Sequence, residues 1–247
     1  MKIMYFSLGD TTHDIHFVSA LGKTEHEVSL FGFEGWSGKW LEWILRSKFN
    51  SFIENMFRLP SQVREFKKLI ADIAPDVVHA GPLHGSAFRV ALSGFHPLVT
   101  LSWGSDLMLE AERNLATRWI TRYTLAHTDV LCGDSKCIYE KAKRFGYKGP
   151  YFQFPWGVDL EAFSPGVFKD LRERLGWNDN TIFLSIRSLE PLYDVDCIVN
   201  AFILAEKKRP DIRLLVYGSG SRLTALRDAL KSAGILHKTY FGGRVND

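Results

Sequence analysis

Cysteine is scarce: Cys132, Cys137 and Cys197 are the whole complement of 247 residues, odd in number and without the spacing of a zinc site or a redox motif. That argues against a disulfide framework, and buried or incidental thiols are expected. Long apolar runs are missing too. No stretch approaches the roughly 18 uninterrupted apolar residues of a membrane span. The opening MKIMYFSLGD has neither the apolar core nor the small-residue cleavage site of a secretory leader, so a cytoplasmic setting is expected. Charge of one sign is in short supply: 31 Lys and Arg against 28 Asp and Glu leave +3, too little to argue for nucleic acid. No cluster of His, Cys, Asp and Glu has metal spacing, and there is no internal repeat or low-complexity tract.

What is present reads as a globular chain, 46% hydrophobic and 24% charged. Short apolar or β-branched runs bounded by Gly, Pro or Asp alternate with segments whose apolar residues recur every three or four positions, the pattern of βαβ units. Strands are expected near 2–8, 27–33, 76–80, 97–102, 128–132 and 150–154, with helices near 13–23 and 61–73. Ser135 is expected to cap a further helix that stops at Gly146. The run FPWGVDLEAFSPG breaks the alternation. A second pattern then starts: strand 181–186, helix 194–208 capped by Asp194, strand 212–217, a GSGS turn, a helix carrying Leu223, Leu226 and Leu230, and a strand near 238–242. The expected fold is α/β, with two Rossmann-like doubly wound parallel-sheet domains: 1–155, a linker at 156–166, and 167–247. Only 82 residues run from Gly166 to Asp247, against roughly 100–200 for a complete domain, so the second sheet is expected to be incomplete.

In open α/β sheets, ligands gather beyond the carboxyl ends of the strands. The loops there carry Asp10 and His13 after the first strand, Gly81, His84 and Ser86 after the third, and Trp103, Gly104, Ser105 and Asp106 after the fourth. The plainer alternative for each is a helix cap or a turn. In the second half Arg187 follows a strand, where a forked cation suits a phosphate or, more plainly, a surface salt bridge, and Gly218 and Gly220 either let backbone approach a ligand or serve a plain strand-to-helix turn. Asp194 and Asp196 superficially match a metal-binding Asp-x-Asp, but both read better as favourable charges at a helix start.

These residues, in this order, resemble the retaining GT-B glycosyltransferases of glycosyltransferase family 4, or group 1. The resemblance runs through the Asp10 to His13 loop, His26-Glu27-Val28, Pro75-Asp76-Val77-Val78-His79, Gly104-Ser105-Asp106, Pro155-Trp156-Gly157-Val158-Asp159 and Phe241-Gly242-Gly243-Arg244-Val245. It implies a GT-B architecture, an N-terminal acceptor domain, a C-terminal nucleotide-sugar domain, reaction in the cleft between them and no obligatory metal or cofactor. The donor would be a UDP-, GDP- or other nucleotide diphosphate sugar, and the acceptor a glycan or lipid-linked hydroxyl. By the same resemblance His13 and Asp106 would meet acceptor or sugar at the catalytic cleft. Arg187 would hold the donor diphosphate, with Tyr193, Gly218, Gly220 and Val245 near the nucleotide. Three positions depart from the family pattern: Tyr193 replaces a lysine, Trp103 a histidine and Trp156 an asparagine. The family's Glu-x7-Glu motif would fall beyond Asp247.

Between Trp36 and Ile70 seven basic residues face three acidic ones. Within 36–60, Trp36, Trp40, Trp43, Phe49, Phe52 and Phe57 interleave with Lys39, Arg46, Lys48 and Arg58. The segment reads either as a helical insertion packed on the first domain or as a peripheral contact with an anionic membrane at its inner face. Two other readings of the whole chain stay open: a binding module that needs a partner to supply strands and glutamates, and a sugar-nucleotide epimerase.

Overall fold

A strand that is apolar on both faces must lie between two layers of helices, and the first half of the chain is built that way. The computed structural model describes residues 1–7, 12–31, 50–158, 160–161, 163–166 and 170–245, with side chains at 12–13, 50–58 and 170 excepted. It separates into two compact units, Met1–Phe163 and Ser164–Asp247.

In the first unit β1 (Lys2–Phe6), α1 (Thr12–Leu21), β2 (Glu27–Phe31), α2 (Asn50–Ile73) and β3 (Val77–Ala80) come first. A π-helical turn (Leu83–Ala87) then runs into α3 (Phe88–Ser93), followed by β4 (Leu98–Leu101) and a second π-helical turn (Asp106–Glu110). After these come α4 (Leu115–Ala126), β5 (Val130–Gly133), α5 (Lys136–Arg144) and β6 (Tyr151–Gln153). All six strands are parallel in the order β2-β1-β3-β4-β5-β6, so the topology reverses between β1 and β3, where Tyr5 lies in register with His79. One face buries Met4, Phe6, Val78, Ala80 and Leu98 against Phe66 of α2 and Val90 and Ala91 of α3. On the other, Tyr5, Leu101 and Cys132 meet Phe17, Val18 and Leu21 of α1. Each fully buried leucine contributes on the order of 2 kcal/mol.

The second unit holds α6 (Asp170–Leu175), β7 (Thr181–Ser185), a 3-10 turn (Pro191–Tyr193), α7 (Val195–Glu206), β8 (Ile212–Tyr217), α8 (Leu223–Ser232) and β9 (Thr239–Gly243). Its strands form a parallel sheet in the order β7-β8-β9. Helices α7 and α8 cover one face through Val195, Val199, Phe202, Leu226 and Leu230, packed on Ile212, Leu214 and Val216. Among the described residues β7 is an edge strand, yet Phe183 and Leu184, which point to opposite faces, are 53% and 60% exposed.

The expected strands all form, within two residues at each end. Several details differ. Helix α2 begins at Asn50 and passes through Pro60, which forgoes one backbone hydrogen bond without ending the helix. Ser135 stands at the start of α5 but its hydroxyl caps nothing; its carbonyl instead accepts the Tyr151 hydroxyl at 2.6 Å. Asp194 is likewise the first flanking residue of α7, in a left-handed conformation (φ 47°), and its carboxylate makes no capping bond. Gly146 is left-handed at φ 98°, as a helix stop requires. Of the thiols, Cys132 is buried, and burial pushes it up to about 11, while Cys137 and Cys197 are exposed; all three are free. The expected 36–60 insertion lies outside the described residues up to 49, and from 50 it belongs to α2.

Candidate functional site

With every strand parallel, all the loops that could hold a ligand emerge at the carboxyl edge of each sheet. In the first unit the loops after β3 and β4 are tied together by one carboxylate. Asp106 is only 4% exposed and accepts four hydrogen bonds. Ser102 Oγ donates to Oδ1 at 2.7 Å and the Leu107 N–H to Oδ1 at 2.8 Å. The Leu83 N–H donates to Oδ2 at 3.0 Å and the Trp103 N–H at 3.4 Å. The Leu83 bond bridges from the β3 loop to the β4 loop, so both π-helical turns are anchored to a single group. Gly81 is forced by the same closeness: a Cβ there would stand 2.8 Å from the Leu101 carbonyl oxygen. His13 lies in α1 with its side chain outside the described residues, and Asp10 and Asp159 also lie outside them.

Two histidines sit beside this edge. His79 is held neutral by burial, its imidazole pushed down from 6.5 to about 4, and its Nδ1 has no hydrogen-bond partner. The Phe17 ring lies 5.8 Å away. His84 is also pushed below the ordinary imidazole range, by burial first, with Asp106 and Glu110 opposing. Thr121 Oγ1 donates to the Thr117 carbonyl at 2.8 Å and so accepts from His84 Nε2–H at 2.7 Å. Nδ1 is left as the bare nitrogen, 3.9 Å from Glu110. Tyr5 donates to the buried Asp14 at 2.8 Å, and burial together with that carboxylate pushes its hydroxyl far above the ordinary phenol range.

In the second unit the five residues expected around a nucleotide lie on loops at one edge, after β7, β8 and β9. The loop after β8 packs directly on the backbone after β7. The Leu189 N–H donates to the Ser219 carbonyl and the Arg222 N–H to the Leu189 carbonyl, both at 2.9 Å. Gly218 (φ 138°) and Gly220 (φ 159°) make this possible: a Cβ would overlap the carbonyl oxygens of Arg187 and Leu189 respectively. The Gly218 N–H donates to the Gly243 carbonyl at 2.7 Å, which joins the end of β9, two residues before the exposed Val245, to the same edge. Arg187 lies over the Tyr193 ring, guanidinium carbon 5.7 Å from its centroid. Among the described residues no carboxylate pairs with Arg187. An exposed forked cation resting on an aromatic face is oriented and open to an anion.

Other residues fix these loops without having announced themselves in the sequence. Glu190 accepts the Ser221 N–H at 2.9 Å and the Ser221 hydroxyl at 2.6 Å, bonds that hold its carboxyl below the usual range. Asp196 takes both forks of Arg222, at 2.9 and 2.5 Å. That pairing commits the second carboxylate of the Asp-x-Asp run to a loop clamp. Among the described residues no group of three or more His, Cys, Asp or Glu could hold a metal ion. The partners in both clamps are more than 25 positions apart, so no local motif marks them.

Residues 2–135 match the family model described as glycosyl transferase 4-like. The chain is similar to the GDP-mannose-dependent monoacylated alpha-(1-6)-phosphatidylinositol monomannoside mannosyltransferase of Corynebacterium glutamicum, 33% identical over 104 residues. That match covers 40% of this chain and 27% of the mannosyltransferase, well under two thirds of its length. Among solved structures it resembles HepE of Anabaena in complex with UDP, with a TM-score of 0.73 at 14% identity, covering 99% of this chain and 70% of that one. It also resembles the UDP-GlcNAc 2-epimerase of Methanocaldococcus jannaschii, TM-score 0.59 at 12% identity, covering 100% of this chain and 74% of that one. Likenesses at such identity speak to the fold, which is α/β and GT-B-like. Because the family match spans more than half of its residues, the chain belongs to the glycosyl transferase 4-like family.

Proposed function

We propose that the protein is a hexosyltransferase that moves a sugar from a nucleotide diphosphate donor to a hydroxyl of a glycan or lipid-linked acceptor, with retention at the anomeric carbon. The observation that carries the donor half is Arg187, held over Tyr193 beside the close-packed glycine turn at the carboxyl edge of the second sheet. The departing nucleoside diphosphate gains negative charge as the glycosidic bond breaks, and a cation already oriented there stabilises that charge without reorganising. Tyr193 stands where relatives carry a lysine and supplies a ring under the guanidinium in place of a second charge. Gly218, Gly220 and Val245 border the nucleotide in this reading. His13 contributes to the acceptor side by its match to the family loop. Asp106, its oxygens occupied by Ser102, Leu83, Trp103 and Leu107, acts by positioning the Trp103 to Ser105 loop. The lipid-linked acceptor named for the Corynebacterium relative and the UDP bound in HepE support the substrate classes.

Product analysis tests this. With UDP- and GDP-hexoses and an acceptor, the full protein is expected to release nucleoside diphosphate in step with acceptor modification, and the anomeric coupling of the product reports retention. Arg187→Ala should cut turnover by about 100-fold. Epimerised donor without acceptor modification would favour the epimerase reading. A second reading rests on β7, apolar on both faces yet at an edge: a binding module whose sheet a partner strand completes. Neither product nor epimerised donor would favour that one.

A further inference from the structure

The outward side of α4 is built contrary to what water asks of a surface helix. Its inward side is occupied by Thr121, Thr124 and Leu125, which are buried. Its outward side carries Leu115 and Trp119, one turn apart, 85% and 56% exposed. Arg118 and Arg122, also one turn apart, lie along the same side and are exposed. From Arg113 to Ala126 there are three arginines and no acidic residue. Met108 and Leu109, in the second π-helical turn, are exposed as well, and the Arg113 N–H bonds back to the Glu110 carbonyl in the turn that leads into α4. Glu112, just before the helix, is held by Lys141 at 2.7 Å and also feels the charge of Arg118.

Ring contacts and a helix cap brace this surface. The Trp119 indole meets Phe88 edge-on at 6.0 Å and stacks on Tyr123 at 5.3 Å, and Tyr123 stacks in turn on His127 at 4.2 Å. The first turn is fixed by a reciprocal cap: the Thr117 N–H donates to Asn114 Oδ1 at 2.9 Å and the Asn114 N–H to Thr117 Oγ1 at 3.2 Å. Leu115 and Trp119 are thus presented together on the outward side of α4, with arginines beside them and fewer acids than arginines from 108 to 126.

We propose that the outward face of α4, with the turn that precedes it, is a docking surface for an anionic lipid bilayer: Leu115 and Trp119 enter the interface, and Arg113, Arg118 and Arg122 meet the headgroup phosphates. A tryptophan prefers that interface, where its ring is apolar and its N–H is wet. The complementarity of a basic row beside an apolar row selects a charged lipid surface over a neutral one. This proposal stands apart from the transferase reading, because binding is measured without donor or acceptor.

The test is cosedimentation of the full chain with vesicles of phosphatidylcholine alone and of phosphatidylcholine mixed with phosphatidylglycerol, at low and high salt. Wild type should bind the mixed vesicles and lose binding as salt rises. Arg118→Glu with Arg122→Glu should lower partitioning into mixed vesicles by about 25-fold. Leu115→Ser with Trp119→Ser should lower it by about 10-fold, whereas Trp119→Phe should retain most of it; circular dichroism identifies any variant that has lost its fold. Failure of wild type to bind overturns the proposal. So does binding by both double variants equal to wild type, which would put the lipid contact elsewhere, and so does self-association abolished by Leu115→Ser with Trp119→Ser in a protein that ignores vesicles.

Discussion

A histidine enclosed by a sheet must give up its charge, and His79 does, its imidazole pushed down to about 4 by burial alone. The unfolded chain takes up that proton as pH falls through 6.5, the folded one only near 4, so the stability tied to His79 is complete above 6.5 and is lost between 6.5 and 4. The loss amounts to roughly 3 kcal/mol, and His84 shifts in the same direction. Thermal melts across that interval should therefore fall more steeply for wild type than for His79→Gln. Equal slopes would mean that the ring is not buried as described. At Gly218 the constraint is steric: a Cβ would overlap the Arg187 carbonyl oxygen at a φ of 138°. Gly218→Ala should cost about 2–4 kcal/mol in the second unit, read by denaturant unfolding. Arg187, Gly218 and Gly220 stand out in the sequence because they follow strands, and Tyr193 only through the family resemblance. The Glu190–Ser221 and Asp196–Arg222 clamps do not, since those bonds join positions brought together only by the fold. Asp106 stands out in the sequence by its place in the Gly-Ser-Asp loop, but its burial and its four donors, which fit it to hold a loop, do not.

At the scale of elements, strands were easier to read than helix starts. Continuous apolar runs such as IMYF and LLVY declare buried strands wherever they occur, and they formed as expected. Caps depend on one torsion each. Ser135 has the residue type for capping α5 but leaves its hydroxyl out of the helix, while the effective box at α4 uses Asn114 and Thr117. Asn114→Ala should remove about 1 kcal/mol from the first unit and lower its melting temperature by roughly 2–4 °C. An unchanged melt would show that tertiary packing, not the cap, holds that turn. The two π-helical turns had no sequence signal, because they arise where Asp106 draws Leu83 and Leu107 onto one carboxylate.

For the molecule as a whole, the order of strands and loops was enough to indicate two parallel α/β units and the family, and the structure gives a six-stranded and a three-stranded parallel sheet. The nonalternating TIFLSI run marks β7 as a strand suited to a sheet interior, which is why its exposed Phe183 and Leu184 stand out. The substrates of the proposed transferase depend on the charge offered at the carboxyl edges rather than on strand order. The account therefore turns on Arg187 as the diphosphate anchor. Calorimetric titration of UDP and GDP into the full protein, beside Arg187→Ala, is the most direct measurement. Wild type should bind one of them and the variant at least about 10-fold more weakly, whereas equal affinity for wild type and variant would contradict the claim.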